Sequence, residues 1–142
     1  MSIRWSDDPA AINWRELSEL YRVAPLGDKS AADLELVFGN SRFRAFAFDG
    51  DVLVGAGRAL ADGRDCAYLC DVAVITGYRR IGLGKEIVAR LLRLSRGHRK
   101  IILYSVPGTE SFYEAFGFRR MTTAMAIFED QAAFAKGYIG PA

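Results

Sequence analysis

The chain has 142 residues, 51% hydrophobic and 25% charged, enough for one domain with a core of its own and too apolar for a disordered chain. Its 19 Lys and Arg against 17 Asp and Glu give a net charge of +2, which excludes a strongly basic or acidic tail. Two cysteines and one histidine are too few for a disulfide framework or a Cys/His zinc centre, so no metal is expected.

Residues 3–5 suit a short strand, and Asp7-Asp8-Pro9 is a helix-start signal. From Ile12 to Tyr21, apolar residues at 14, 17, 20 and 21 predict an amphipathic helix, interrupted by Pro25 and Gly27. A second helix is predicted from Ser30 to Phe38, with Ser30 and Asp33 in a capping arrangement and Leu34, Val37 and Phe38 on one face. Asp49-Gly50 then joins two alternating strands, the second running past Gly55 and Gly57 to Leu60. Asp62-Gly63 marks a turn, and residues 66–75 read as a strand buried on both faces.

A glycine-rich loop follows, then a helix whose apolar face holds Ile87, Val88, Leu91, Leu92 and Leu94. Residues 100–106 read as another strand, completing a strand-loop-helix-strand unit with parallel pairing. A short helix from Ser111 to Phe116 and a final strand from Thr122 to Phe128 complete the order. The chain reads as a single domain over 1–142, with residues 129–142 as a peripheral tail. No stretch is long and apolar enough to cross a membrane, and the N-terminus lacks a signal-peptide pattern, so a cytoplasmic protein is expected.

The most informative run is Arg79-Arg80-Ile81-Gly82-Leu83-Gly84, between a strand and a helix. Glycines allow close backbone approach, the first helical turn offers unpaired N–H groups, and the arginines add charge-assisted bonds, a combination suited to a pyrophosphate. The run is neither a P-loop, since Glu86 follows Gly84-Lys85, nor a dinucleotide fingerprint, which needs a third small residue. An ordinary loop with a solvated Arg pair would look similar.

Arg79-x-x-Gly82-x-Gly84 resembles the acyl-CoA pyrophosphate motif of the GNAT N-acetyltransferases. The strand Tyr68 to Val74 resembles that family's fourth strand, and Ser111 to Phe118 its FYxxxGF segment. The likeness spans roughly residues 43–128 in the right order; Gly77-Tyr78 departs from the proline or acidic residue common before the tyrosine. The resemblance implies an α/β (α+β) fold with a mixed, mostly antiparallel central sheet flanked by helices. It implies acetyl-CoA as cosubstrate. Val72, Ala73 and Val74 would meet the pantetheine arm, and Arg79, Arg80, Ile81, Gly82, Leu83, Gly84 and Lys85 would surround the pyrophosphate. A small-molecule amine would be the acceptor, attacked directly in a ternary complex. Dimerisation is compatible with the family, although the sequence specifies no interface.

Tyr113 matches the tyrosine that often protonates the departing thiolate; as an aromatic between Phe112 and Phe116 it could equally just pack. Asp71 interrupts an apolar strand and is either a base, acting directly or through water, or a group that orients substrate or pairs with an arginine on a neighbouring strand. Alternation puts it on the face opposite Val72. Cys70 has no catalytic partner: His98 stands in a basic segment expected to be exposed, and a structural cysteine is the commoner case. Arg93, Arg96, His98, Arg99 and Lys100 form a helix-end patch without the aromatic interleaving of a nucleic-acid platform. Trp14, Tyr21, Phe38 and Met121 belong either to the core or to an acceptor pocket, and Asp28, Asp33 and Glu35 could attract a cationic acceptor. Two other functions share these features: a non-catalytic acyl-CoA-binding module, and acetylation of a peptide or protein N-terminus.

Overall fold

A computed structural model describes residues 2–141, the Arg80 side chain excepted. Strand β1 (Ile3–Ser6) leads through a 3-10 turn to helices α1 (Trp14–Val23) and α2 (Ala31–Gly39). Strands β2 (Phe43–Asp49), β3 (Val52–Ala61) and β4 (Cys66–Val74) follow, then helix α3 (Leu83–Ser95), strand β5 (Lys100–Ile102) and helix α4 (Glu110–Glu114). The five strands form one mixed sheet in sequential order, antiparallel except for the β4–β5 pair. Helices flank it, α3 on one face and α1 with α2 on the other.

The helix ends follow from local chemistry. Asn13 accepts from the Arg15 and Glu16 amides at the start of α1, and Ser30 accepts from Asp33 at the start of α2. Arg44 on β2 donates to the Phe38 and Ser41 carbonyls, closing the far end of α2 against the sheet. The core beneath these helices contains fully buried Leu17, Tyr21, Phe38 and Phe46, each stabilising the fold by about 1.5–3 kcal/mol through burial.

On the opposite face, Gly55 and Gly57 admit α3. A Cβ on Gly55 would lie 2.9 Å from Ile87 Cδ1, and one on Gly57 2.8 Å from Ile87 Cγ2 and 3.1 Å from Leu91 Cδ1. Close approach of helix to sheet therefore requires glycine at both positions.

The chain divides into two compact units, one ending at Leu103 and one beginning at Tyr104. In the second, Tyr138 packs edge-on against Tyr104, and Ala133 is buried. Residues 122–128, expected as a strand, are not one. Met125 and Ile127 are fully exposed there, with no paired backbone to hold an extended ladder. The strand expected over 100–106 stops at Ile102. Among the described residues, no helix is long and apolar enough to cross a membrane.

Candidate active site

Strand β4 carries the site. It pairs with β3 along its length, but with β5 only at Cys66, Ala67 and Tyr68. Beyond Tyr68, no described strand pairs with its other edge. Ile75 N–H donates to Val54 O on the β3 side, so the alternation of the ladder turns the Val74 amide toward the unpaired edge, while Val72 has no partner in the β3 register.

The register against β3 slips between Ala56 and Arg58, where β4 contributes an extra residue. The slip coincides with Asp71, whose φ of 57° is the one positive value at a non-glycine among the described residues. Such a bulge bends the strand and re-aims its side chains. The Tyr21 hydroxyl, in the core beneath α1, donates to the Asp71 carbonyl at 2.5 Å and braces the turn. Burial, followed by the nearby Asp71 charge, raises the Tyr21 phenol well above its ordinary value, so it remains a donor.

The Asp71 carboxylate faces α1 and α2. Arg58 Nε donates to its Oδ2 at 2.7 Å, and Lys29 Nζ stands 3.6 Å from its Oδ1. A second Arg58 nitrogen, Nη1, donates to Ser41 Oγ at 3.2 Å. Asp71 is thus paired with an arginine on the neighbouring strand, one of the roles its sequence position allowed. Cys70 lies beside it, its thiol pushed up to about 11, chiefly by burial. At neutral pH it is an un-ionised, poor nucleophile. Cys66 and Cys70 are both free.

After β4 the chain makes a 3-10 turn over Thr76–Ile81 and enters α3 through Gly82, whose φ is +77°. No side chain caps this helix, and its first intrahelical bond runs from Glu86 N to Gly82 O, leaving the Leu83, Gly84 and Lys85 amides without such partners. Nothing lies within 4 Å of where a Gly82 Cβ would stand, so the approach is open. This geometry suits an anion at the positive end of the helix dipole.

Two residues fix the turn. Tyr78 OH donates to Asp49 Oδ2 at 2.5 Å, tying it to the β2–β3 hairpin. Arg79 donates from Nε to Val74 O at 3.4 Å and from Nη2 to Ala24 O at 3.3 Å. The Arg79 guanidinium, expected at a phosphate, therefore spends at least two of its donors bracing backbone. The role expected of the Arg80 side chain falls outside the described residues.

Tyr113 belongs to the second compact unit, on α4. It is half-buried between Phe112 and Phe118, at ring distances of 5.0 and 6.1 Å, and burial raises its phenol above the ordinary value. Met121 is exposed in that unit. In the first unit, Tyr21 and Phe38 are core residues, Trp14 packs against that core, and Asp28, Asp33 and Glu35 are exposed.

His98 differs from expectation. Its ring is buried, Nε2 accepting from Gly63 N–H at 3.0 Å and Nδ1 lying 2.9 Å from Ser95 O. It closes the turn before β4 and is not part of an exposed basic patch. Among the described residues, no cluster of His, Cys, Asp and Glu could hold a metal ion.

Arg58 and Lys29 were not singled out in the sequence. Arg58 carried a faint signal, a lone charge in the apolar run Gly55 to Leu60, whereas Lys29 carried none.

This open-edged bulged strand, followed by an uncapped helix start, defines a class of site suited to an extended ligand that carries an anion. Residues 9–118 match the model of the acetyltransferase (GNAT) family, and the chain belongs to that family. It is 36% identical over 67 residues to a ycf52-like N-acetyltransferase of Prochlorococcus marinus, a stretch covering 46% of this chain and 37% of that protein. It is 42% identical over 67 residues to a glucosamine 6-phosphate N-acetyltransferase of Trypanosoma brucei brucei, covering 46% of each. The matched stretch thus spans less than half the length of these curated relatives. A GNAT family acetyltransferase structure from Streptococcus pneumoniae shares the fold, with a TM-score of 0.73, 22% identity and coverage of 91% of this chain and 98% of that one.

Proposed function

We propose that this protein transfers an acetyl group from acetyl-CoA to the amine of a small molecule. The observation that carries the reading is the unpaired edge of β4 beyond Tyr68, followed closely in the chain by the unpartnered amides at the start of α3. An extended pantetheine arm, with amide donors and acceptors of its own, can add to the edge at Val72 and Val74 as a strand would. The pyrophosphate then falls at the Leu83, Gly84 and Lys85 amides, with Ile81 and Gly82 forming the lip of the turn. Ala73, whose backbone faces β3, holds the strand in register and leaves the two valines to bind.

In the reaction, a neutral amine attacks the thioester carbonyl, forming the C–N bond as the C–S bond breaks. The Val72 N–H, on a residue without a partner in the β3 register, is suited to stabilise negative charge developing on the carbonyl oxygen. Tyr113 supplies the proton taken by the departing thiolate, and its burial keeps that phenol protonated at neutral pH. The ammonium proton leaves to solvent. Asp71, held by Arg58 and flanked by Lys29, is better suited to orient the acceptor than to act as a strong base. This supports the orienting role over the base role.

The test pairs calorimetric titration of acetyl-CoA with a thiol-release assay over amines, amino sugars and short peptides. Saturable binding and amine-dependent thiol release are expected. Absence of acetyl-CoA binding would sink the reading. Binding without release from any acceptor would point to a non-catalytic acyl-CoA module, and release with peptides alone to peptide N-acetylation. Because unpaired edges also serve self-association, sedimentation at increasing concentration tests a homodimer.

A further inference from the structure

The cluster around Asp71 has an uneven charge. Arg58 and Lys29 face a single carboxylate, so the group is net positive. Its neutral members do not offset this: the Cys70 thiol is un-ionised, the Tyr21 hydroxyl is committed to the Asp71 carbonyl, and Ser41 Oγ accepts from Arg58 while donating to Val37 O. The acids on the neighbouring segment, Asp28, Asp33 and Glu35, are exposed, and Asp28 acts electrostatically on Arg22.

The two cations are held differently. The Arg58 side chain is 14% exposed and bonded to both Asp71 and Ser41. Lys29 is 32% exposed, and at 3.6 Å its ammonium is beyond hydrogen-bond distance of Asp71. Its donors are therefore uncommitted to that carboxylate. Its backbone is fixed, since Ser18 Oγ donates to Lys29 O at 2.5 Å, and its ammonium stands 5.8 Å from the Tyr21 ring. A partly desolvated cation beside the carboxylate of Asp71, the residue that precedes Val72, is placed to bind an anion on the acceptor. The same positive charge disfavours an ammonium and favours the neutral amine that must attack.

We propose that Lys29 determines specificity by pairing with an oxyanion, a carboxylate or phosphate, carried by the acceptor beside its amine, with Arg58 and Asp71 as the charged wall behind it. This rests on the acetyl-transfer reading above.

The test uses matched acceptors: an amino sugar with its 6-phosphate, and an amino acid with its decarboxylated amine. Thiol release should give the anionic member of at least one pair a kcat/KM roughly tenfold higher, as expected for a charge-assisted bond in a partly desolvated site. Preference in the sugar pair identifies phosphate; preference in the amino-acid pair identifies carboxylate. Lys29→Gln should collapse that ratio mainly through KM, and Lys29→Arg should restore most of it. Preference for the uncharged members, no turnover of any member, or an unchanged ratio in Lys29→Gln overturns the proposal. Acetyl-CoA titration, run separately, distinguishes the two failures: if acetyl-CoA does not bind, the acetyl-transfer reading falls and takes this inference with it.

Discussion

Arg58 on β3 and Asp71 on β4 meet across the bulge, Nε to Oδ2 at 2.7 Å, at the one non-glycine residue of positive φ among those described. The pair joins two constraints, an unusual backbone conformation and a largely buried carboxylate held by Arg58. Asn tolerates the left-handed region and keeps much of the shape, whereas Ala loses both advantages. Asp71→Asn should therefore destabilise the fold by about 1–2 kcal/mol, and Asp71→Ala by roughly a further 1 kcal/mol. Urea unfolding of both variants measures the difference; equal losses would mean that the backbone conformation contributes nothing.

Gly82 opens α3 at a φ of +77° with free space around it. A valine there would strain the backbone by about 1–2 kcal/mol and put a branched side chain over the helix start. Gly82→Val is expected to weaken acetyl-CoA binding at least about tenfold while the protein remains folded, since this strain is small beside a typical stability of about 5–15 kcal/mol. Calorimetry with circular dichroism reads both, and intact binding would remove the turn from the coenzyme site.

Tyr113→Phe deletes one hydroxyl from a half-buried aromatic and leaves its packing on Phe112 and Phe118. Turnover should fall about 100-fold or more, as for loss of a general acid, with little change in acetyl-CoA affinity. Steady-state kinetics and titration separate the two. Unchanged kcat would reduce Tyr113 to a packing residue.

Gly57 faces Ile87 and Leu91 at distances that exclude a methyl group. Gly57→Ala should cost about 1–3 kcal/mol by overpacking, because both neighbours are fully buried and cannot swing away. The denaturant midpoint should drop at constant slope; an unaltered midpoint would show that α3 can shift outward freely.

Asp62 accepts from the Arg64, Asp65 and Cys66 amides, which hold its carboxyl down at about 2 from an ordinary 3.8. The folded state thus binds a proton less readily than the unfolded chain. Asp62 should stabilise the protein above about pH 4, with that advantage lost as pH falls toward 2. Melting temperatures of wild type and Asp62→Asn should differ at pH 7 and converge near pH 2. A constant gap across that range would contradict the assignment.

Several local features of the candidate site are legible in the sequence. Local glycines, a strand-loop-helix order and the aromatic segment around Tyr113 are contiguous in the chain, and contiguous features keep their spacing whatever surrounds them. Ser30 as a cap formed as expected, and so did the hairpin signalled by Asp49-Gly50, its turn falling at Gly50 and Asp51, because both depend on neighbouring backbone alone. The segment 122–128 misled for the converse reason: its alternation is strand-like, but a strand needs a partner edge, which a local pattern does not supply. His98, among four basic neighbours, looked solvated until the fold brought the Gly63 amide to its ring.

By itself, then, the sequence determined the family, the order of elements as far as α4 and the glycine-rich helix start, because each depends on residues close together in the chain. Only the tertiary structure decided that Arg58 and Lys29 converge on Asp71, that Arg79 turns back to brace backbone, and that β4 separates from β5 after three residue pairs. These depend on strand register, on one extra residue in a ladder and on where a loop folds back. A single bulge re-aims a side chain, and no local pattern of residue types records it.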